Sequence, residues 1–380
     1  MNAVRIRRTA LPAHPWVYRK QVTRPDPGTR NGDPVRILGR DGQPLGAGLY
    51  HGKSQIAIRV LTTNPNEAID TAFIRRRVGE AIRFRRETLQ LDRRTNACRL
   101  VNAEGDGLSG IIVDRYANRA SIRLRCLGMY RFAADVVAAI DEAYPGIRAL
   151  YRRDPEAERI EGFRVPEPTG YTKVDIEVDR LKYRVDLVAG HKTGAFLDQR
   201  DNHRFAASMA KGRSVLDLFT CDGGFALSCA RAGAKRTIAS DLDENAVARA
   251  KGNAKANRLD VECRHADAFD VLKSRPKADY IILDPPKWIS SRADEESGRR
   301  KYLDLNALAI AALPPGGLLG TASCSGRLTA GDFLEIVHRA AARAGRTIRI
   351  LSVRGAPPDH PVSSDFPEGS YLNAVFATIA

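Results

Sequence analysis

The rhythm of apolar and polar positions changes near residue 190 of this 380-residue chain. Beyond that point, short apolar runs alternate with stretches of helical periodicity, such as residues 244–257 and 332–344. Strands that alternate with helices are typical of a parallel sheet covered by helices on both faces. We assign strands to residues 214–219, 237–240, 261–264, 280–283, 318–323 and 347–353, with another at 371–379. The sequence therefore predicts an α/β, doubly wound, Rossmann-like domain over residues 189–380.

The first part of the chain, residues 1–65, shows a shorter rhythm that is interrupted often by glycine and proline. Residues 35–38 and 45–50 flank the turn Arg-Asp-Gly-Gln, which indicates a hairpin, and residues 55–61 supply another alternating run. Short strands joined by tight turns favour a small β-barrel. We therefore predict an N-terminal barrel domain.

Residues 66–188 mix the two patterns and predict a small α+β domain. Residues 66–91 carry apolar side chains at helical spacing, with the arginines of this stretch on the opposite face, as in an amphipathic helix. Residues 153–170 are rich in Pro, Glu and Gly, and we interpret them as a connector. Alternating positions on both sides of Asp179 and Arg180 predict a second hairpin.

Charge is concentrated near the N-terminus. The chain has 61 Lys and Arg against 45 Asp and Glu, and residues 1–100 alone contain 20 basic and 8 acidic side chains, which is +12 of the net +16. A basic surface attracts a phosphate backbone whatever its sequence. We therefore expect Arg75, Arg76 and Arg77, on the predicted helix, to contact nucleic acid. The alternative is a solvated helix face on which these arginines pair with Glu80 or Glu87.

Composition excludes several classes of protein. Hydrophobic residues make up 43% and charged residues 28% of the chain, which is typical of globular domains. No apolar run approaches the ~18 residues of a membrane span, and no apolar segment of an export signal follows the first arginines. We therefore expect a cytoplasmic protein with no membrane partner.

The cysteines do not form a metal site in sequence. None belongs to a C-x-x-C pair, and no histidine lies at zinc-finger spacing from them, so we expect neither zinc nor a disulfide framework. The six cysteines are Cys98, Cys126, Cys221, Cys229, Cys263 and Cys324.

Acidic residues follow three successive strands of the predicted sheet. The first strand contains Asp217 and is followed by Thr220, Gly223 and Gly224. A glycine turn between a strand and a helix lets backbone N–H groups approach a ligand. The second strand ends at Asp241, which is suited to a ribose hydroxyl pair. The third is followed by Asp267 and Ala268, in position for an adenine amino group. Together these residues predict an adenosine ligand, S-adenosylmethionine (SAM).

Two further strand ends carry candidate chemistry. The fourth strand leads into Asp284, Pro285, Pro286 and Lys287, and the fifth ends beside Cys324. Proline cannot continue a strand ladder, so the proline pair indicates a rigid turn. At the carboxyl edge of a doubly wound sheet such a turn faces the substrate crevice. We therefore predict that Asp284 and Cys324 are catalytic, with the Pro-Pro-Lys turn touching substrate.

These segments resemble the RlmI-like family of large-subunit rRNA (cytosine-C5)-methyltransferases, which are class I SAM-dependent enzymes with an N-terminal PUA-type RNA-binding domain. The resemblance covers nearly the whole chain. Its most specific segments are 190–201, the Asp-Pro-Pro-Lys turn and Ser-Cys-Ser-Gly at 323–326. The others are 14–17, 105–108, 223–225, 359–361 and 367–369.

The resemblance implies methylation of cytosine C5 in 23S rRNA through a cysteine adduct at C6, with Phe196 and Gln199 also holding the cofactor. It implies domains at residues 1–65, 66–188 and 189–380, with rRNA as partner; a homodimer stays open. Cys221 and Asp222 depart from the family, whose members usually carry an aromatic residue and a threonine there.

Two other functions are compatible with the sequence. An exocyclic-amine methyltransferase usually has an aromatic residue directly after the two prolines, where this chain has Lys287, and needs no cysteine. A noncatalytic RNA-binding or ribosome-assembly factor could retain the same fold. The intact set Asp241, Asp267, Asp284 and Cys324 argues against that second alternative.

Overall fold

The computed structural model describes residues 1–168, 172–188 and 194–380, so residues 190–193 of the family-like segment 190–201 lie outside the described residues. The chain forms two compact units. Unit 1 comprises residues 1–177, 185–195 and 358–369, and unit 2 comprises residues 178–184, 196–357 and 370–380. Predicted boundaries at residues 65 and 188 stay predictions.

The strands of the described chain are β1 Asn2–Ile6, β2 Trp16–Tyr18, β3 Val22–Pro25, β4 Pro34–Leu38, β5 Pro44–Tyr50, β6 Ile56–Thr62, β7 Ala97–Asn102, β8 Ile111–Tyr116, β9 Arg119–Leu124, β10 Arg148–Arg152, β11 Lys173–Val178, β12 Leu181–Asp186, β13 Ser214–Leu218, β14 Arg236–Asp241, β15 Glu262–His265, β16 Tyr280–Leu283, β17 Leu318–Ser323, β18 Ile348–Arg354 and β19 Asn373–Ile379. The α-helices are α1 Thr71–Arg83, α2 Leu127–Arg131, α3 Ala133–Ala143, α4 Pro155–Glu161, α5 Arg200–Ser208, α6 Gly224–Arg231, α7 Glu244–Asn257, α8 Ala268–Lys273, α9 Glu295–Ala312 and α10 Ala330–Arg343.

Unit 1 begins with the predicted barrel-like domain. Six strands form one sheet in the order β2-β6-β5-β4-β1-β3. The hairpin of β4 and β5 is present as predicted. Six buried apolar side chains of this sheet form one hydrophobic cluster. These are Val4, Ile6, Val17, Val35, Ile37 and Ile58.

A second sheet of unit 1, in the order β10-β9-β8-β7, shares one buried apolar cluster with α1 and α3. Helix α1 begins at Thr71, not at residue 66, because the extended Asp70 ends the preceding chain and accepts a hydrogen bond from the Phe73 N–H at 2.8 Å;. Ile69 is buried as expected but lies before this cap. The helix continues past Arg83 as a π-turn, Phe84–Thr88.

One arginine predicted to face solvent is buried instead. Arg85 is 0% exposed and donates two hydrogen bonds to the Asp106 carboxylate, at 2.6 and 2.9 Å. It also donates to the carbonyls of Arg99 and Asp359. A guanidinium can be buried where its donors are satisfied in this way. The family-like segments 105–108 and 359–361 therefore meet at a buried arginine within unit 1.

The stretch interpreted as a connector, residues 153–170, contains a helix in its described part. Helix α4 begins after Asp154, whose carboxylate accepts the Ala157 N–H, and Pro155 occupies its first turn. Gly162 ends it with a φ of +72°. Proline at the start and glycine at the end are helix signals. The predicted hairpin around Asp179 and Arg180 is present, and both turn residues have positive φ.

Unit 2 confirms the doubly wound domain. Its seven strands lie in the order β15-β14-β13-β16-β17-β19-β18. Strands β13 to β17 are parallel neighbours, and β19 runs antiparallel to both β17 and β18. One buried cluster joins the sheet to α8, α9 and α10, and another joins its opposite face to α5 and α6.

The strand order has a reversal that positions the candidate site. From β13 the chain proceeds through β14 to β15 on one side, and then returns to β16 and β17 on the other. In such sheets, ligands bind outside the carboxyl ends of the strands at the reversal. The register pairs Leu218 with both Ser240 and Leu283, and Leu283 with Thr321. The segments that follow these strands therefore emerge at one edge.

Candidate active site at the carboxyl edge of the sheet

The loop after β13 is held in an unusual conformation. Phe219, Cys221 and Gly223 have φ values of +68°, +52° and +88°, which is the left-handed region that glycine adopts most readily. Thr220 donates its hydroxyl to the Asp217 carboxylate at 2.6 Å. Asp217 thus ties the loop to the strand beneath it.

Asp217 also holds the start of α6, since the Ala226 N–H donates to the same carboxylate oxygen at 3.0 Å. The side chain is 0% exposed, and burial raises the pKa of Asp217 to about 7, although these hydrogen bonds act in the opposite direction;. A carboxyl group this deeply buried supports the loop from below.

Gly224 is required because an aromatic ring occupies the space of a side chain. A Cβ at this position would lie 2.2 Å from the His203 ring. The His203 and Phe225 rings are also in edge contact, with centroids 4.4 Å apart. Burial lowers the pKa of His203 to about 4, so the imidazole is neutral near pH 7;.

Asp241 lies at the end of β14 as predicted and stays partly exposed. One carboxylate oxygen accepts the Cys221 N–H at 2.9 Å and the other accepts the Asp243 N–H at 3.0 Å. The next residue, Leu242, is 63% exposed. A fixed, accessible carboxylate beside an exposed apolar side chain fits a ligand that combines a diol with a flat aromatic group, which is an adenosine.

Asp267 has a structural task that the sequence analysis did not assign. Its carboxylate caps α8 by accepting the N–H groups of Phe269 and Asp270 at 2.8 and 3.2 Å;. Ala268 is the buried first residue of that helix. Binding of an adenine amino group by this segment stays a prediction.

At Cys221 and Asp222, where the sequence departs from the family, the charge of the Asp222 carboxylate is neutralised by an arginine of α7. Arg249 on α7 donates to the Asp222 carboxylate at 2.7 Å, and the Asn253 amide donates to the Asp222 carbonyl at 3.0 Å. The added carboxylate is therefore paired within unit 2.

Asp284 follows β16 and is oriented by buried amides. The Gln199 amide N–H donates to the Asp284 carboxylate at 2.8 Å, and the Asn202 amide donates to Gln199 Oε1 at 2.7 Å. Arg354 in turn donates to Asn202 Oδ1 at 3.2 Å. Gln199, predicted as a cofactor ligand, thus contacts the predicted catalytic carboxyl. Asn202 and Arg354 were missed, although Asn202 directly follows the family-like segment 190–201.

Cys324 follows β17 in a loop joined to the Asp284 turn by Ser325. The Ser325 hydroxyl accepts the Ile289 N–H at 3.3 Å and lies 3.0 Å from the Tyr302 hydroxyl. The Ser325 N–H donates to Ser323 Oγ at 3.2 Å. Because Ser325 and Tyr302 are both buried, the two loops share one internal anchor. Sequence analysis missed this role of Tyr302 as well.

The other cysteines of unit 2 are poor nucleophiles. Burial raises the pKa of the Cys221, Cys229 and Cys263 thiols, which disfavours their thiolates. In unit 1, burial raises the pKa of Cys126 to about 11. Cys324 is half-buried at the carboxyl edge of the sheet.

The Pro-Pro-Lys turn is partly exposed to solvent. Pro286 and Lys287 are exposed, whereas Pro285 is buried. Trp288 packs in an aromatic cluster, with its ring centroid 4.8 Å from that of Tyr302. Trp288 is thus a packing residue.

Phe196 precedes the 3₁₀ turn Leu197–Gln199 and is half-buried. The next acidic residue, Asp198, is buried and accepts the Tyr371 hydroxyl at 2.6 Å. The predicted cofactor role of Phe196 stays a prediction.

The arginines of α1 have carboxylate partners in unit 1. Arg76 and Arg77 both pair with Glu80, as the alternative interpretation expected. Arg76 also pairs with Glu67, and Arg75 pairs with Asp135 and Glu142. RNA binding by these three arginines stays a prediction.

No helix in the described ranges is long and apolar enough to cross a membrane. Within the same ranges, no group of three or more His, Cys, Asp or Glu side chains could hold a metal ion.

Known proteins match the chain along most of its length. Residues 8–63 match the PUA-like domain family, and residues 123–368 match the S-adenosylmethionine-dependent methyltransferase family. Ribosomal RNA large subunit methyltransferase I from Aliivibrio fischeri is 38% identical over 94% of this chain and 93% of its own. The enzyme of the same name from Tolumonas auensis is 36% identical over 97% and 96%.

Solved structures share the fold. A putative SAM-dependent methyltransferase from Streptococcus mutans has a TM-score of 0.78 at 20% identity, covering 96% of this chain and 95% of its own. A putative methyltransferase complexed with SAH has a TM-score of 0.79 at 21% identity, with the same coverage. These matches confirm the family resemblance, the fold class and the SAM cofactor. The chain belongs to the SAM-dependent methyltransferases and, within them, to the family of ribosomal RNA large subunit methyltransferase I.

Proposed function

We propose that this protein methylates C5 of a cytosine in 23S rRNA through a covalent adduct between Cys324 and C6 of the base. The observation that carries the proposal is the common sheet edge. Asp284 and Cys324 follow the neighbouring parallel strands β16 and β17, beside the strand ends of Asp217 and Asp241.

The cofactor fits the other half of this edge. Asp241 would hold the ribose, and Leu242 offers its exposed apolar surface to the adenine. The backbone of Thr220, Gly223 and Gly224 would line the same site, and Asp267 and Ala268 would flank it. When bound, SAM supplies an electrophilic methyl group on a sulfonium.

Cys324 would activate the cytosine for methylation. Carbon 5 of cytosine is too weak a nucleophile to accept a methyl group unaided. Addition of the Cys324 thiolate to C6 makes C5 enamine-like, which is nucleophilic catalysis. Among the cysteines of unit 2, Cys324 is the one that follows β17, next to the strand that leads into Asp284.

Asp284 would stabilise the adduct through the N3 and N4 edge of the base, where charge develops when sulfur adds to C6. Its carboxyl group is positioned for this task by Gln199, and Gln199 by Asn202. Once C5 carries the methyl group, a base removes the C5 proton, the C5=C6 double bond re-forms and the thiolate leaves C6. The target cytosine must leave its stack to reach both side chains, and Lys287, which is exposed, would meet the RNA.

The test is Cys324→Ala with Cys263→Ala as the matched control. Cys263 is also half-buried in unit 2, but it lies on the edge strand β15, with three strands between it and β17. We expect Cys324→Ala to lose turnover of unmodified rRNA by orders of magnitude while cofactor affinity, measured by calorimetry, stays near wild type. The control should retain activity.

A second measurement isolates the covalent step. RNA that contains 5-fluorocytidine should form a denaturation-resistant complex with wild type but not with Cys324→Ala, because C5 then carries fluorine in place of the proton that must leave. Mapping the product distinguishes the alternatives. A methyl group on the exocyclic amine, or full activity of Cys324→Ala, would overturn the proposal.

A further inference from the structure

A small hollow on the N-terminal barrel combines the two features that bind unpaired nucleotides. It has a volume of about 470 Å³ and is lined by Tyr18, Arg19, Lys20 and Gln55. Tyr18 is 40% exposed, which is high for a large aromatic side chain, and the other three residues are exposed as well. An accessible ring is thus flanked by two cations and an amide.

The cations of this hollow differ from those of α1. Arg75, Arg76 and Arg77 are partnered by carboxylates. Within the residues that the structure describes, no ion pair involves Arg19 or Lys20. Residues 1–63 contain 11 basic and 3 acidic side chains, a net charge of +8. Most of the N-terminal excess charge is therefore on the barrel, where it can interact with phosphate.

The backbone beneath the hollow is fixed. Tyr18 belongs to β2 and pairs with Ile56 of β6, and the Arg19 N–H donates to the Gln55 carbonyl at 2.9 Å. The Tyr18 N–H donates to the Gln21 side chain at 2.9 Å. Because two strands hold the platform, little backbone ordering is needed when a ligand binds.

We propose that this hollow binds an unpaired nucleotide of the RNA substrate, with the base stacked on the Tyr18 ring and the adjoining phosphates held by Arg19 and Lys20. Aromatic rings flanked by cations are the usual platform for single-stranded nucleic acid. Every base has a π-face, so stacking selects unpaired over paired nucleotides and not one sequence. That the RNA is rRNA rests on the proposed function.

The test is a fluorescence titration of the full-length protein with a labelled single-stranded oligoribonucleotide of mixed sequence and with the matching duplex. Tyr18→Ala should weaken single-strand binding about tenfold, the expected scale for one stacked base, and leave duplex binding unchanged. Tyr18→Phe keeps the ring and should bind like wild type.

The charge contribution is tested with R19Q/K20Q against R339Q/R343Q. The control pair removes the same charge from α10, where both arginines are exposed and ion-paired. The salt dependence of single-strand binding should flatten by roughly 1.4 in log–log slope for R19Q/K20Q, about 0.7 for each phosphate contact. The control should keep the wild-type slope.

Tyr18→Ala binding the single strand as tightly as wild type would overturn the inference, as would an equal loss for the duplex. A wild-type slope for R19Q/K20Q would also overturn it. The proposed function fails separately: if wild type does not methylate rRNA but single-strand binding still depends on Tyr18, the hollow remains an RNA site and the catalytic assignment is wrong.

Discussion

The buried carboxyl group of Asp217 makes the stability of unit 2 depend on pH in a predictable direction. Its pKa is about 7 in the folded protein, against 3.8 for the free side chain, because burial disfavours the charged form;. Between these pH values the folded protein holds a proton that the unfolded chain has released. Stability from this group is therefore complete below about pH 4 and is lost as pH rises through about 7.

Asp217→Asn removes this titration. Each pKa unit corresponds to about 1.36 kcal/mol. The free energy of unfolding that the wild type loses through this titration therefore grows from roughly 1.5 kcal/mol at pH 5 to roughly 4 kcal/mol at pH 8. The amide oxygen can still accept from Thr220 and Ala226, as the carboxylate does. Asp217 Oδ1 is buried without a hydrogen-bond partner. In Asp217→Asn an amide N–H group takes the place of this oxygen, and leaving that donor unpaired lowers the free energy of unfolding by about 1–3 kcal/mol at every pH.

The assay is denaturant unfolding of both proteins, without cofactor, from pH 5 to pH 8. All other titrating groups are common to both, so the difference between the two free energies isolates Asp217. As the pH rises from 5 to 8, we expect the free energy of unfolding of Asp217→Asn to increase by roughly 2–3 kcal/mol relative to that of the wild type. A difference that stays constant from pH 5 to pH 8 would refute the reasoning, because it would mean that Asp217 ionises as an ordinary carboxyl.

Three further predictions concern the site and the RNA. Asp241→Ala should weaken cofactor binding by about 2–4 kcal/mol, because two hydrogen bonds to a charged acceptor are lost; unchanged affinity by calorimetry would remove Asp241 from the cofactor site. Replacing Arg75, Arg76 and Arg77 by Gln should lower RNA affinity and flatten its salt dependence, but less than R19Q/K20Q does, because carboxylates already neutralise the helix. Wild-type affinity and slope would mean that this helix is only a solvated face. Activity should survive chelation of divalent ions, since methyl transfer from a sulfonium needs no Lewis acid; a loss that one divalent ion restores, with RNA folding held constant, would contradict this.

The sequence was most informative about the sheet of unit 2. Strands β16 and β17 have the bounds that the apolar runs predicted, and helix α7 does as well. Strands buried on both faces read as continuous apolar runs, and their alternation with helices fixes the direction of the chain. For that reason the emergence of Asp241, Asp284 and Cys324 at one edge followed from order along the chain alone.

Contacts between distant residues decided the rest. Arg85 has the helical spacing and charge of a surface residue, yet the Asp359 carbonyl, 274 positions later, helps to bury it. The hydrogen bond of Arg354 to Asn202 spans 152 positions, and that of Tyr302 to Ser325 spans 23. Periodicity and local propensity report only on neighbours along the chain. The partners that neutralise a buried charge or orient a catalytic side chain are selected by packing, so only the tertiary structure could reveal them.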